Sequence, residues 1–244
     1  MSIATRTNGA TFGRLTFAGL PLAALSLAGC LALFANCAPP PKSPASAAPR
    51  RTGKFAEQVA QVARGTSHSI VVEDELVDDA DLARLADLTE LRELTLRKTR
   101  VGDAGLAHLR GLVDLEKLVL GETTATDSAI ESLAGLKRLK ILNLASAEVT
   151  AAGFAELAAL QHLELLRFGQ SHIGDEALEY VDRWPALRSL ILQNAPITDA
   201  GLAHLKDSDH DPLESLYLEG TEVTEVGLAD LQQARPNLHI HPHP

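Results

Sequence analysis

The sequence predicts an α/β fold built as a solenoid: about seven coils of 24 residues, each adding a short strand and a short helix to one shared core. Two patterns and one composition predict it. The phrase VGDAGL at 101–106 returns in altered form as VDDADL (77–82), ATDSAI (125–130), VTAAGF (149–154), IGDEAL (173–178), ITDAGL (197–202) and VTEVGL (223–228). The first six copies are 24 residues apart, and the last step is 26. A leucine frame accompanies them: Leu88, Leu91, Leu94, Leu96; Leu112, Leu115, Leu118, Leu120; Leu136, Leu139, Leu142, Leu144; Leu160, Leu163, Leu166, Phe168; and Trp184, Leu187, Leu190, Leu192. A damaged set keeps Leu213, Leu216 and Leu218. A fixed period of this length marks a stack of similar units, none of which can bury its apolar face alone. Aromatic residues make up only 4% of the chain against 45% hydrophobic, so the core must be built from Leu, Ala, Val and Ile.

Ahead of the repeats the chain changes character. Of the 22 basic residues six lie in residues 1–54, which hold no Asp or Glu; the other 16 stand against all 32 acidic residues, a net of −16. A domain this acidic repels phosphate backbones, which argues against general nucleic-acid binding. Residues 1–29 start polar and basic, continue as the uncharged LTFAGLPLAALSLAG and end in small residues, the layout of an export signal. The closing Leu27-Ala28-Gly29-Cys30 resembles the bacterial lipobox. That resemblance implies cleavage before Cys30 and lipidation of its sulfur. The apolar run continues to residue 38, and the 24 residues of 15–38 are also long enough to span a bilayer as an uncleaved helix. An ordinary cleaved signal is a third reading. All three export the domain, to the periplasmic side or the cell surface, because positive charge stays cytoplasmic. Residues 30–53, apolar at first and then rich in Pro, Ala and Ser, read as a tether from the membrane. Both cysteines, Cys30 and Cys37, precede the acidic domain, so neither a disulfide framework nor a cysteine zinc site can form within it.

Residues 54–66 place Phe55, Val59 and Val62 at i, i+4 and i+7, as an N-terminal capping helix would. The repeat domain then runs over 67–240, with Ile70 and Val72 in a first, irregular coil. Within a coil, L-x-L alternates buried and exposed positions and predicts a strand with one buried face. Successive strands stack in parallel, about 4.8 Å apart. Thr126, Thr150, Thr198 and Thr224 fall at helix N-cap positions, with Asp127 and Asp199 as first-turn charges. Leu106/Leu109, Ile130/Leu133, Phe154/Leu157, Leu178/Val181, Leu202/Leu205 and Leu228/Leu231 form the inner helix face. Gly105, Gly153, Gly201 and Gly227 are small where each helix approaches its neighbours. PNLHI at 236–240 suits a closing strand, and 241–244 a His/Pro tail.

These residues resemble the leucine-rich-repeat family over about 67–240, in the VTDAGLxxL style of its ribonuclease-inhibitor-like and bacterial members. The resemblance implies parallel strands on a concave face, short helices on a convex face, and a platform that binds other proteins. One column departs from the family. Where many members carry Asn three positions after the last strand leucine, this chain has Thr99, Thr123, Ala147, Ser171, Ala195 and Thr221.

Motifs for catalysis are missing: there is no G-x-S-x-G, no H-E-x-x-H and no glycine-rich phosphate loop. No cofactor is expected. Acidic pairs such as Glu73-Asp74 and Asp78-Asp79 read as solvated turns, and KDSDHDP (206–212), which lacks the glycine and glutamate of an EF-hand loop, as an expanded surface loop. His108 and His204 share a helical column and read as surface positions. His239, His241 and His243 alternate, so an extended chain would place them on one side, as metal ligands could be; the plainer reading is a polar tail. The strand face is the remaining candidate. One outward column reads Val71, Thr95, Val119, Asn143, Arg167, Ile191, Tyr217, and the next Glu73, Arg97, Gly121, Ala145, Gly169, Gln193, Glu219. Among these, Thr95, Arg97, Val119, Asn143, Arg167, Ile191, Gln193, Tyr217 and Glu219 are the candidate partner contacts, with Arg167 and Tyr217 as anchors. The expected function is therefore that of a membrane-tethered, exported, non-catalytic scaffold for a protein or surface ligand. The alternative is a structural envelope lipoprotein without a specific partner.

Overall fold

The computed structural model describes residues 53–206 and 212–241; the export signal with Cys30, the tether up to residue 52, the loop at 207–211 and His243 lie outside the described residues. Helix α1 (Lys54–Ala63) comes first and buries Phe55, Val59 and Val62. Leucine alternation then yields one strand per coil: β1 (Ser69–Val72), β3 (Glu93–Leu96), β5 (Lys117–Leu120), β6 (Ile141–Leu144), β7 (Leu165–Gly169), β8 (Ser189–Gln193), β9 (Ser215–Tyr217) and β10 (His239–His241). They form a single parallel sheet in that order, while β2 (Val77–Asp78) and β4 (Thr99–Arg100) pair separately. The repeat sets the register: Ile70, Leu94, Leu118, Leu142, Leu166, Leu190 and Leu216 stack one above the next. All seven are fully buried.

The return half of each coil is helical. It supplies α2 (Asp79–Leu82), α3 (Asp103–Ala107), α4 (Asp127–Leu133), α5 (Ala151–Glu156), α6 (Asp199–Lys206) and α7 (Glu225–Ala234). The coil between α5 and α6 differs: Asp175–Arg183 winds as a 3-10 helix. It stops at Trp184, which is extended because Pro185 disfavours helical geometry before it. Among the described residues no helix is long and apolar enough to cross a membrane.

The helix-start aspartates do more than sit at a helix dipole. Asp103 accepts the Thr126 backbone N–H on Oδ1 and the Thr126 hydroxyl on Oδ2, both at 2.7 Å. The same two-pronged contact joins Asp127 to Thr150, Asp175 to Thr198 and Asp199 to Thr224, and Asp79 accepts the Gly102 N–H. Each threonine hydroxyl also caps its own helix, as Thr150 does for the Ala152 N–H. Four of the five rungs have a glycine beside them in the next coil, with Ala129 in that place beside Asp103. A Cβ at Gly105, Gly153, Gly201 or Gly227 would collide with the carboxylate of Asp79, Asp127, Asp175 or Asp199 in the preceding coil. One rung has no carboxylate, at Ala151. There the core stitches the coils instead: the Trp184 ring meets Phe154 edge-on at 5.0 Å, and its Nε1–H donates to the Leu157 carbonyl at 2.8 Å.

One expectation, that of the acidic pairs as solvated turns, needs correction in part. Glu73 and Asp74 do lie in an exposed bend, whereas Asp78 and Asp79 are half-buried at a helix start and are not a solvated turn. Glu73 and Asp74 pair with Arg97 and Lys98 of the next coil, Asp78 forms a capping box with Asp81, and Asp79 carries a rung of the ladder. The threonines in the asparagine column do find backbone partners in adjacent coils: the Thr99 hydroxyl donates to the Gly121 carbonyl and that of Thr123 to the Val101 carbonyl. At the first edge of the sheet, Gln58 of α1 donates to the Val71 carbonyl and accepts its N–H. Glu75 is buried beneath the start of α1, where it accepts the Gly53 and Phe55 N–H groups at 3.0 Å each. An exposed strand edge invites pairing with another chain, and these contacts close it.

Candidate functional site

The outward face of the sheet is a grid whose rows are coils and whose columns are strand positions. Its central column runs in register through Val71, Thr95, Val119, Asn143, Arg167, Ile191, Tyr217 and then His241. Seven of the sequence-predicted contacts, Val119, Asn143, Arg167, Ile191, Gln193, Tyr217 and Glu219, are half-buried here, as side chains on a packed but open face should be, and Arg97 is exposed. Thr95 is not available: it is only 5% exposed. Its register neighbours are Val71 and Val119, and the ion pairs Glu93–Lys117 and Glu73–Arg97 occupy the columns on either side.

Two polar features organise the C-terminal half. Arg167 donates to Gln193 Oε1 at 2.7 Å, and Gln193 Nε2 donates to Glu219 Oε2 at 2.6 Å, a chain across three coils. Tyr217 stacks on His241 with ring centroids 4.2 Å apart and planes 8° from parallel. Asn143 Oδ1 and Arg167 Nε, on paired positions, are buried without hydrogen-bond partners. The bare stretch at Gly121, Ala145 and Gly169 has a backbone cause. A Cβ at Gly121 or Gly169 would strike the carbonyl of Arg97 or Ala145 in the preceding coil.

Sequence reading missed a third outward column: Ser69, Glu93, Lys117, Ile141, Leu165, Ser189, Ser215 and His239. The signal was available. These residues stand two positions before the central column, and period-two alternation puts them on the same face. Ile141 and Leu165 are half-buried there. With Val119 and Ile191 they make a four-strand apolar band around Asn143 and Arg167. The N-terminal side of the grid is charged and internally neutralised. The Lys117 ammonium, 2.7 Å from Glu93, holds the Glu93 carboxyl below its ordinary range. At the strand entrances the sign alternates along Arg92, Glu116, Lys140, Glu164, Arg188 and Glu214. There the Glu116–Lys140 hydrogen bond lowers the carboxyl and raises the ammonium.

His108 is exposed on the helical side, and His204 lies 3.7 Å from Glu179. Among the described residues no three His, Cys, Asp or Glu side chains converge as a full metal cage requires.

No protein-family model matches the sequence, and no curated protein matches it. Solved structures do match the fold. An internalin of Listeria monocytogenes superposes with a TM-score of 0.61 at 20% identity, over 76% of this chain and 50% of its own length. Internalin C2 of the same species gives 0.52 at 25% identity, over 68% of each chain. The chain thus spans half the length of the first internalin. The stacked parallel strands, the 24-residue leucine register and these likenesses agree: the chain folds as a leucine-rich-repeat solenoid.

Proposed function

We propose that the chain is a scaffold, tethered to the membrane on its extracytoplasmic side, that binds a protein through its sheet face and catalyses nothing. The observation that carries this reading is the apolar band of Val119, Ile141, Leu165 and Ile191, bordered by the Arg167–Gln193–Glu219 chain and by Tyr217. Apolar contact at the centre with hydrogen-bonding groups around it is the anatomy of a docking surface. The charges on the N-terminal side of the band are already paired, so a partner need not neutralise those. Cross-linking in intact cells tests the reading. A specific adduct should be lost in Ile141→Asp with Leu165→Asp, and weakened in Arg167→Ala with Tyr217→Ala. An adduct that survives both places the contact elsewhere; no specific adduct in the unchanged protein favours a purely structural envelope role. Attachment is tested separately: Cys30→Ala should stop processing and release the domain from the membrane fraction, and unchanged processing and fractionation would refute lipid anchoring.

A further inference from the structure

We propose that His239 and His241 form a site for a divalent transition-metal cation, Zn²⁺ being the natural probe, at the C-terminal end of the sheet face. The two histidines belong to β10, which pairs in parallel with β9: His239 with Ser215, Ile240 with Leu216, His241 with Tyr217. Ile240 is half-buried and packs against the core, so its two neighbours emerge together on the exposed outward face. Residues two apart on one side of a strand are separated by about 6.5–7 Å. One cation held through two nitrogens at about 2.0–2.1 Å each requires the two side chains to lean together, to no more than about 4.2 Å between the ligating nitrogens.

Each ring is held in a way that suits a ligand. His239 Nδ1 is 3.2 Å from the Glu214 carbonyl oxygen. An oxygen acceptor requires the proton on Nδ1, which leaves the Nε2 lone pair for a metal; a histidine ligand fixed by a backbone carbonyl behind it is the usual arrangement. His241 lies flat on Tyr217, so its ring plane is set while both nitrogens remain at the rim of the stack. Imidazole is a preferred ligand for Zn²⁺, Cu²⁺ and Ni²⁺. The acidic repeat domain, −16 beyond residue 54, raises the local cation concentration. Water completes the coordination, so the site is open rather than a closed structural one.

The test uses the full chain with Cys30→Ser and Cys37→Ser, since thiolates also take zinc. Calorimetric titration with Zn²⁺ at pH 7.5 should give one site per chain, with the ring signals of His239 and His241 shifting together. His239→Ala and His241→Ala should each weaken binding at least tenfold with circular dichroism unchanged. Lowering the pH to 5 should weaken it comparably, because both imidazoles must be neutral. No binding, binding that ignores either substitution, or binding insensitive to pH would overturn the proposal.

Discussion

Replacing Asp103 by Ala removes one rung of the aspartate–threonine ladder and nothing from the apolar core. Both carboxylate oxygens are used, one on the Thr126 N–H and one on the Thr126 hydroxyl. A hydrogen bond to a charged acceptor contributes about 1.5–3 kcal/mol when shielded from water. This rung is half-buried, so the lower end of that range applies and two bonds amount to about 3 kcal/mol. Asp103→Asn keeps an oxygen for the N–H and can donate to the hydroxyl, so it should cost only about 1 kcal/mol. The assay is equilibrium urea unfolding, followed by circular dichroism and by the fluorescence of Trp184, the only tryptophan. Coincident curves establish that one transition is being measured. A double-mutant cycle with Thr126→Val isolates the hydroxyl half of the rung, the backbone N–H bond being kept in valine, with an expected coupling of about 1–2 kcal/mol. If Asp103 acted only as a negative charge at the start of its own helix, it would contribute about 0.3–1 kcal/mol and show no coupling to Thr126. A cost below about 0.5 kcal/mol, or an additive double mutant, would refute the ladder as a source of stability.

Four further outcomes follow from the same contacts. Ala151→Asp supplies the missing rung opposite Gly174 and should stabilise the chain by about 0.5–1.5 kcal/mol, read as a raised urea midpoint at unchanged slope. Ala177 stands where Ala129 already tolerates the Asp103 rung, so space is not the obstacle. Trp184→Ala empties the aromatic cluster beside Phe154 and orphans the Leu157 carbonyl; unfolding followed by circular dichroism should show a loss of about 3–5 kcal/mol. Glu75→Ala unpins the start of α1, so hydrogen exchange should accelerate across Lys54–Ala63 while the strands β5 to β8 keep their protection. Acid sensitivity should fall in a defined window. The Thr224 hydroxyl, and after it the Thr224 N–H, hold the Asp199 carboxyl below its ordinary value, as Lys117 does for Glu93. A folded-state value below the unfolded one means that the stabilisation is fully present above the unfolded value of about 4 and lost as pH falls through the lower folded value. The urea midpoint should therefore drop below about pH 4, less steeply in Asp199→Asn; equal slopes would contradict the assignment.

Much of this was legible in the residues. The 24-residue spacing names the strands, because stacked coils need the same alternation at the same interval, and Leu94 to Leu216 pair as that spacing requires. Threonine at 126, 150, 198 and 224 announces a helix start by local chemistry alone, and each hydroxyl does accept an N–H of its own helix. The candidate face was only partly legible. Arg167, Ile191 and Tyr217 lie on it, but so do Ile141 and Leu165, whose position before the first strand leucine hid them among framework residues.

What the sequence by itself determined is whatever depends on neighbours along the chain: period, strand faces, helix starts and the aliphatic core. What tertiary structure alone decided depends on neighbours one coil away, some 23 residues off. Asp103 looks like a helix-start charge until the next coil brings Thr126 to within 2.7 Å. Gly105 looks like a generic allowance until Asp79 is found where its side chain would be. Thr95 looks outward-facing until the adjacent columns cover it, and His241 looks like the start of a tail until Tyr217 lies flat against it. The physical reason is the same in each case. Alternation and helical periodicity act over two to four residues, whereas the partners that complete a side chain's hydrogen bonds or shut out its solvent arrive only when the coils stack.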